Sequence, residues 1–290
     1  MPTTTTEPTT RTLDVPGATL VYDVRAGTAS SEPPLFLIGS PMAAAGFGTL
    51  AGHFGDRTVI TYDPRGSERS RKDDPASAAT PDDHADDLHR VIEAVGGPVD
   101  LFASSGGAVN ALALVARHPD DVRTLVAHEP PLATLLPDRE PAMAAARAVH
   151  DTYHRSGWGA GMAHFIAIVS HRGPFTDDVA RQPAPDPATF GMPTEDDGVR
   201  TDPMLGQNMI TTTHYEPDFD ALRGASTRIV LAAGEESEGE MANRGAFAVA
   251  QRLGTEPVLF PSHHGGFLGG EYGQAGQPDA FAAKLREVLA

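Results

Sequence analysis

The chain contains no cysteine. That excludes a disulfide framework, a thiolate zinc site and a cysteine nucleophile together, and it is compatible with a reducing compartment. Positive charge is scarce: 22 Lys and Arg stand against 39 Asp and Glu, a net charge of −17. Nucleic acid and anionic membrane would both repel such a chain, so neither is expected as a partner. The plain reading of the charge is solubility. No run approaches the ~20 apolar residues of a membrane-spanning helix. The opening segment, MPTTTTEPTTRTLDV, lacks a basic n-region and an apolar h-region. No signal peptide is expected, and the chain reads as cytoplasmic.

What is present is a core and an interruption. The 290 residues, 40% of them apolar, suit one sizeable core carrying an insertion. Residues 1–10 are Thr/Pro-rich and expected to be a disordered tail. Residues 11–15 and 18–24 read as a hairpin turning at Pro16-Gly17. Continuous apolar runs follow at 35–38, 58–62, 99–103, 124–127, 228–232 and 257–260, the pattern of strands buried on both faces. Helical stretches alternate with them. Pro81–Val95 has Thr80 as N-cap, Pro81 in its first turn and acidic residues near its positive end. Gly106–Arg117, Glu240–Leu253 and Pro278–Leu289 complete the set. This alternation predicts an α/β fold with a mostly parallel central sheet and helices on both faces. Residues 130–226 hold little strand signal, with helical stretches at Pro141–Arg155 and Gly159–His171, a Pro/Asp-rich linker at 173–203 and an apolar piece at 203–214. They are expected to form a helical cap between core segments 11–129 and 227–290.

The strongest chemical signal is Val99-Asp100-Leu101-Phe102-Ala103-Ser104-Ser105-Gly106-Gly107-Ala108. A buried strand runs into a helix through a tight small-x-nucleophile-x-small turn. Small residues are needed because the turn strains the nucleophile's backbone and presses strand against helix. Ala103 and Gly107 fill the small positions if Ser105 is the nucleophile. Making Ser104 the nucleophile would place Phe102 in one of them, where its ring would clash. The competing reading, a phosphate-binding turn, lacks a G-x-G-x-x-G after the first strand.

Three more stretches fall in order around this elbow. They are Leu37-Ile38-Gly39-Ser40-Pro41-Met42, Tyr62-Asp63-Pro64-Arg65-Gly66-Ser67-Glu68-Arg69-Ser70, and Pro261-Ser262-His263-His264-Gly265-Gly266-Phe267. With them the chain resembles the α/β-hydrolase superfamily from residue 12 to its end. The first stretch sits where that family keeps an oxyanion loop, though its His-Gly is missing. The second resembles Y-D-x-R-G-x-G-x-S, with Glu68 in place of a Gly. The third sits where the catalytic His belongs. The resemblance implies nucleophile, acid and base in that chain order.

A serine hydroxyl needs an imidazole to take its proton. His264, directly before two glycines, fits the family's base position; His263 is the alternative. The imidazole needs an acid. In the usual loop, Leu231-Ala232-Ala233-Gly234-Glu235-Glu236-Ser237, the expected Asp is Ser237. Some members, including haloalkane-dehalogenase-like enzymes, carry the acid after the preceding strand, where Glu129 stands at the sheet's C-terminal edge. Glu129 is therefore the expected acid, with Glu235 and Glu236 as alternatives. One oxyanion donor is the Gly106 N–H. The other is Ser40 or Met42, since Pro41 has no N–H.

The implied reaction is cleavage of a small to medium carboxylic ester, lactone or thioester through an acyl-enzyme. Same-fold alternatives are a lyase, a C–C hydrolase, or an acyl-transfer or cyclisation enzyme. An alternative of another class is a non-catalytic ligand receptor. A small-molecule substrate is expected, no cofactor, no metal, and a homodimer is admissible. The acidic run around His84 reads as a helix-dipole complement. His150 and His154 read as a polar face or pocket lining. Asp63 and Arg65 are expected to brace their loop. Met204, Met209, Phe165, Trp158 and Met162 are core or pocket-wall candidates.

Overall fold

Leu35–Ile38 is buried along its whole length, as a strand covered on both faces must be. It is one of the central strands in a computed structural model that describes residues 7–28 and 31–290. The strands are β1 (Thr9–Val15), β2 (Ala18–Arg25), β3 (Leu35–Ile38), β4 (Val59–Asp63), β5 (Arg71–Lys72), β6 (Val99–Ser104), β7 (Val122–His128), β8 (Arg228–Gly234) and β9 (Val258–Phe260). They form one sheet in the order β1-β2-β4-β3-β6-β7-β8-β9, with β5 paired to β2. From β4 to β9 every neighbouring pair is parallel; β1, β2 and β5 pair antiparallel at one edge.

Side chains alternate between faces along each strand. Phe36, Ile38, Leu101, Ala103, Leu125 and Ala127 join one core with the helices α2 (Pro81–Val95) and α3 (Gly106–Arg117). Leu35, Leu37, Phe102, Val126 and Phe260 join the other, covered by the helical turn Gly48–Gly52 and by Pro278–Leu289. The ends of α2 follow from its sequence. Thr80 and Asp83 form a reciprocal capping box, and left-handed Gly96 closes the helix.

The expected tail is shorter than its composition suggested. Residues 1–6 lie outside the described residues, and Thr9 and Thr10 pair with Val24 and Asp23 in the sheet. Between β7 and β8 the chain is helical. Arg139–Val169 runs as one element broken at Gly157, whose φ of 85° separates the two helices expected there. Shorter turns follow at Asp177–Ala180, Met204–Asn208 and Met209–Thr213. The helix Phe219–Gly224 differs from the expectation of a cap reaching 226: Phe219 and Leu222 are buried in the first core. Among the described residues no helix is long and apolar enough to cross a membrane.

Two fully buried histidines make the fold sensitive to acid. Burial holds His84 and His128 down to about 4, with Arg65's charge adding to the effect at His84. Both rings fold neutral, so between about pH 6.5 and 4 the unfolded chain binds protons the native state does not. Their contribution is complete above pH 6.5 and is lost as pH falls toward 4, up to about 3 kcal/mol each. Thermal melts should show a lower Tm at pH 5 than at pH 7, and H84N should flatten that slope. A pH-independent Tm would show that these rings do not control acid stability.

Candidate active site

Ser105 lies between β6 and α3 with φ 57° and ψ −126°, backbone that a non-glycine residue adopts only under constraint. The constraint is visible around it. A Cβ on Gly107 would stand 2.8 Å from the Gly39 Cα, and one on Gly106 would stand 2.5 Å from the Ser40 carbonyl oxygen. Only glycines let the 39–42 loop lie this close to the elbow. Ala103, the other small position, is fully buried, while Phe102 points into the opposite core against Phe47, Phe267 and Phe281. Ala103 and Phe102 thus face opposite cores of the sheet.

Glu129 follows β7 and has no exposed surface. Its φ of 49° turns the chain sharply at the sheet edge. One carboxylate oxygen accepts from His264 Nδ1 at 2.5 Å. The other accepts from the Gly234 N–H (2.8 Å), Asn243 Nδ2 (3.1 Å) and the Ser237 hydroxyl. Burial raises the carboxyl's pKa, but the His264 and Ser237 hydrogen bonds and neighbouring imidazole charge outweigh it and hold it at about 2. His264 behaves as the complement. Burial lowers its pKa, yet the hydrogen bond and charge of Glu129, with Glu240 beyond, leave it above the ordinary imidazole value.

The sequence alternatives separate cleanly by position. Glu235 and Glu236 are exposed, and Glu236 accepts from Gln277 Nε2 at 3.1 Å. His263 has both ring nitrogens occupied by backbone: Nδ1 accepts from the Gly265 N–H (3.0 Å) and Nε2 donates to the Ala275 carbonyl (3.3 Å).

Ser105 and His264 line one cavity of about 430 Å³, together with Gly106 and Ser40. Met42 does not border it; its side chain packs beside Gly39 and Gly46 and against the second core. Phe165, Met204 and Met209 are wall residues, whereas Trp158 and Met162 pack within the helical segment's own core. His150 and His154 sit 4.3 Å apart, away from this wall. Asp63 and Arg65 do brace the loop. Asp63 accepts from the Ala44 N–H (3.0 Å) and Arg69 Nε (2.6 Å), and Arg65 forks onto Asp87 with two 2.6 Å bonds. Glu68 takes φ 47°, the conformation that explains why a glycine is usual there.

Sequence reasoning missed three supports. Ser237 and Asn243 anchor the carboxylate; the signal was the serine in the vacated acid position. His128 lies under the base, its ring 5.7 Å from that of His264, with Nδ1 3.1 Å from the Ser104 hydroxyl. Ligand atoms of His128, Glu129 and His264, and of His89, His118 and Asp121, lie within 4.8 Å of one another. In the first group His264 Nδ1 is bonded to Glu129, and in the second His89 Nδ1 is bonded to Asp121 at 2.7 Å, so hydrogen bonding accounts for both.

Ser105 and His264 thus share one cavity, and His264 is held there by buried Glu129. The rate of Ser105 modification by a fluorophosphonate should rise with pH through a limb above 6.5, because His264 must be neutral to accept the proton. E129Q should cut that rate by about 10⁴-fold and move the limb to lower pH, since it removes the group that raises the His264 pKa. E235Q and E236Q should leave both within about twofold. An unshifted limb in E129Q would remove Glu129 from the relay.

Comparison with known proteins agrees with this architecture. A family model described as the alpha/beta hydrolase fold matches residues 41–151. The chain is 32% identical over 272 residues, 88% of this chain and 89% of the other, to an uncharacterized hydrolase, YraK, of Bacillus subtilis (strain 168). Among solved structures it is similar to a thermophilic esterase from Thermogutta terrifontis, malate bound, with a TM-score of 0.66, 19% identity and 98% of each chain covered. It is also similar to MGS-M2, an alpha/beta hydrolase enzyme from a Medee basin deep-sea metagenome library, with a TM-score of 0.68, 14% identity and 96% of each chain covered. Those two likenesses speak for the fold, and the curated relative carries the family. The chain belongs to the alpha/beta-hydrolase superfamily.

Proposed function

We propose that the protein is a carboxylic-ester hydrolase that works through an acyl-enzyme on Ser105. The observation that carries this reading is the 2.5 Å bond from His264 to buried Glu129, made in the wall of the cavity that also holds Ser105. The Ser105 hydroxyl attacks the ester carbonyl while His264 Nε2 takes its proton. Glu129 fixes the imidazole tautomer and stabilises the imidazolium. The tetrahedral oxyanion is held by the N–H of Gly106 at the start of α3 and by that of Ser40, each worth about 2.7–4 kcal/mol. Ser40 is favoured over Met42 because it borders the cavity beside Gly106. His264 then protonates the leaving alcohol. Water, deprotonated by the same imidazole, releases the acid and regenerates Ser105.

In this reading, the helical segment after Glu129 is a cap. Phe165, Met204 and Met209 form its substrate-facing wall, and it ends before Phe219–Gly224. A cavity of about 430 Å³ suits a small to medium ester, lactone or thioester. The esterase named among the structures of like fold supports the same class.

The test is turnover of short-chain p-nitrophenyl esters, expected to fall by at least about 10³-fold in S105A. Rapid fluorophosphonate labelling of Ser105 without ester turnover would redirect the site to lyase, C–C hydrolase or acyl-transfer chemistry. Absence of labelling in the folded protein would overturn the enzyme reading in favour of a ligand receptor.

A further inference from the structure

The cavity wall carries a negative charge and no fixed positive one. Its apolar part is built by Phe165, Ile166, Val169, Met204, Met209 and Met241. Three methionines give it a surface that repacks around varied apolar shapes. Its polar part is neutral side chains, among them Asn208, Thr212, Thr213 and Gln274. Neither a lysine nor an arginine lines it. His263 has its ring nitrogens engaged by the Gly265 N–H and the Ala275 carbonyl. Among the described residues the one carboxylate in the wall is Glu240, just before the helix Met241–Leu253, with 20% of its side chain exposed.

The nearby guanidinium does not supply the missing charge. Arg172 Nη2 donates to the Glu236 carbonyl at 2.7 Å and to Glu240 Oε1 at 3.1 Å. It is held at the rim by two acceptors of this chain. Lys72, which reaches the turn at Met204–Asn208, lines a different cavity and is held by Gln207 Oε1 at 3.0 Å. A substrate carboxylate entering beside Ser105 would therefore lose its hydration and find no cation in the wall, only neutral donors and Glu240, whose one guanidinium partner, Arg172, stands outside the lining. The net charge of −17 would oppose its approach from solution as well.

From this wall we infer that the site accepts esters whose acyl and alcohol parts are uncharged and excludes those bearing a carboxylate, with Glu240 as the excluding group. This rests on the esterase reading and narrows its substrate class. Glu240 selects among substrates; it takes no part in proton transfer. Its charge also reaches His264, whose protonated form it favours.

The test compares p-nitrophenyl heptanoate with p-nitrophenyl hemiadipate, whose acyl chains have the same reach but end in a methyl and a carboxylate. In the wild-type protein kcat/KM for the neutral ester should exceed that for the anionic one by roughly tenfold or more, the scale of one like charge held nearby. E240Q should shrink that ratio, because it removes the carboxylate and releases Arg172 from it. Equal turnover of the two esters by the wild-type protein overturns the charge selection and leaves the esterase reading standing. A ratio that survives E240Q unchanged overturns the assignment to Glu240. No turnover of either ester overturns the esterase reading and the selection with it. The wild-type comparison is decisive even if E240Q does not fold.

Discussion

The interaction on which the site depends is the hydrogen bond between His264 and a carboxylate with no exposed surface. An unpaired charge in that place would cost several kcal/mol, so Glu129 is tolerable only because its oxygens are fully engaged. The partners come from four separate pieces of chain: the His264 loop after β9, Gly234 at the end of β8, the loop at Ser237, and Asn243 in the helix that follows. One carboxylate therefore ties the ends of β7 and β8 to the base and to the next helix. The same bonds keep Glu129 ionised and raise the imidazole's affinity for a proton. Structural satisfaction and chemical readiness are here one set of contacts.

Backbone strain collects at the same edge. Ser105, Glu129 and Ser262 all have positive φ, an arrangement that L residues adopt at a cost. Ser105 and Glu129 each follow the last residue of a buried strand, and Ser262 lies two residues past the edge strand β9. The parallel core beneath them holds the strand ends in fixed register, so the strain is borne by packing that is formed regardless of the site. Neighbouring strands bring Ser104 opposite His128 and His128 opposite Ala232. Register alone thus brings Ser105 and Glu129 to adjacent strand ends.

What the sequence disclosed follows from where local signals dominate. The limits of α2 were readable because Thr80, Pro81, Asp83 and Gly96 each act within one turn of the chain. The elbow was readable because its constraint spans five residues. The two-residue strand Arg71–Lys72 was not, since two residues have no period. The two helices within 139–169 were readable because Gly157, with φ 85°, breaks the helical pattern between them. The choice of Glu129 over Glu235 and Glu236 was argued from a missing charge at Ser237. The hydrogen bond by which Ser237 holds Glu129 joins residues 108 positions apart and is invisible to local reading.

The distribution of cations explains why the cavity has none. Arg57 and Arg123 converge on Asp100 near the start of β6, at the opposite end of that strand from Ser105. Arg65 and Arg69 fasten the loop after β4 to Asp87, Asp63 and Asp23. Arg244 is paired with Asp138 and Arg172 with Glu240. Each of these guanidinium groups pins chain segments together, in a sequence where acids outnumber bases by 39 to 22. The negative charge of Glu129 and Glu240 acts on His264. In the proposed mechanism this charge stabilises an imidazolium at His264, formed as Ser105 gives up its proton. It opposes an oxyanion, which must therefore be held by local dipoles: N–H groups at the elbow and the positive end of α3. A cation in the wall would help that oxyanion while working against the imidazolium a few ångströms away. In the proposed mechanism the two developing charges meet separate partners, carboxylates for one and backbone N–H groups for the other, while Arg172 and Arg244 stay paired with Glu240 and Asp138.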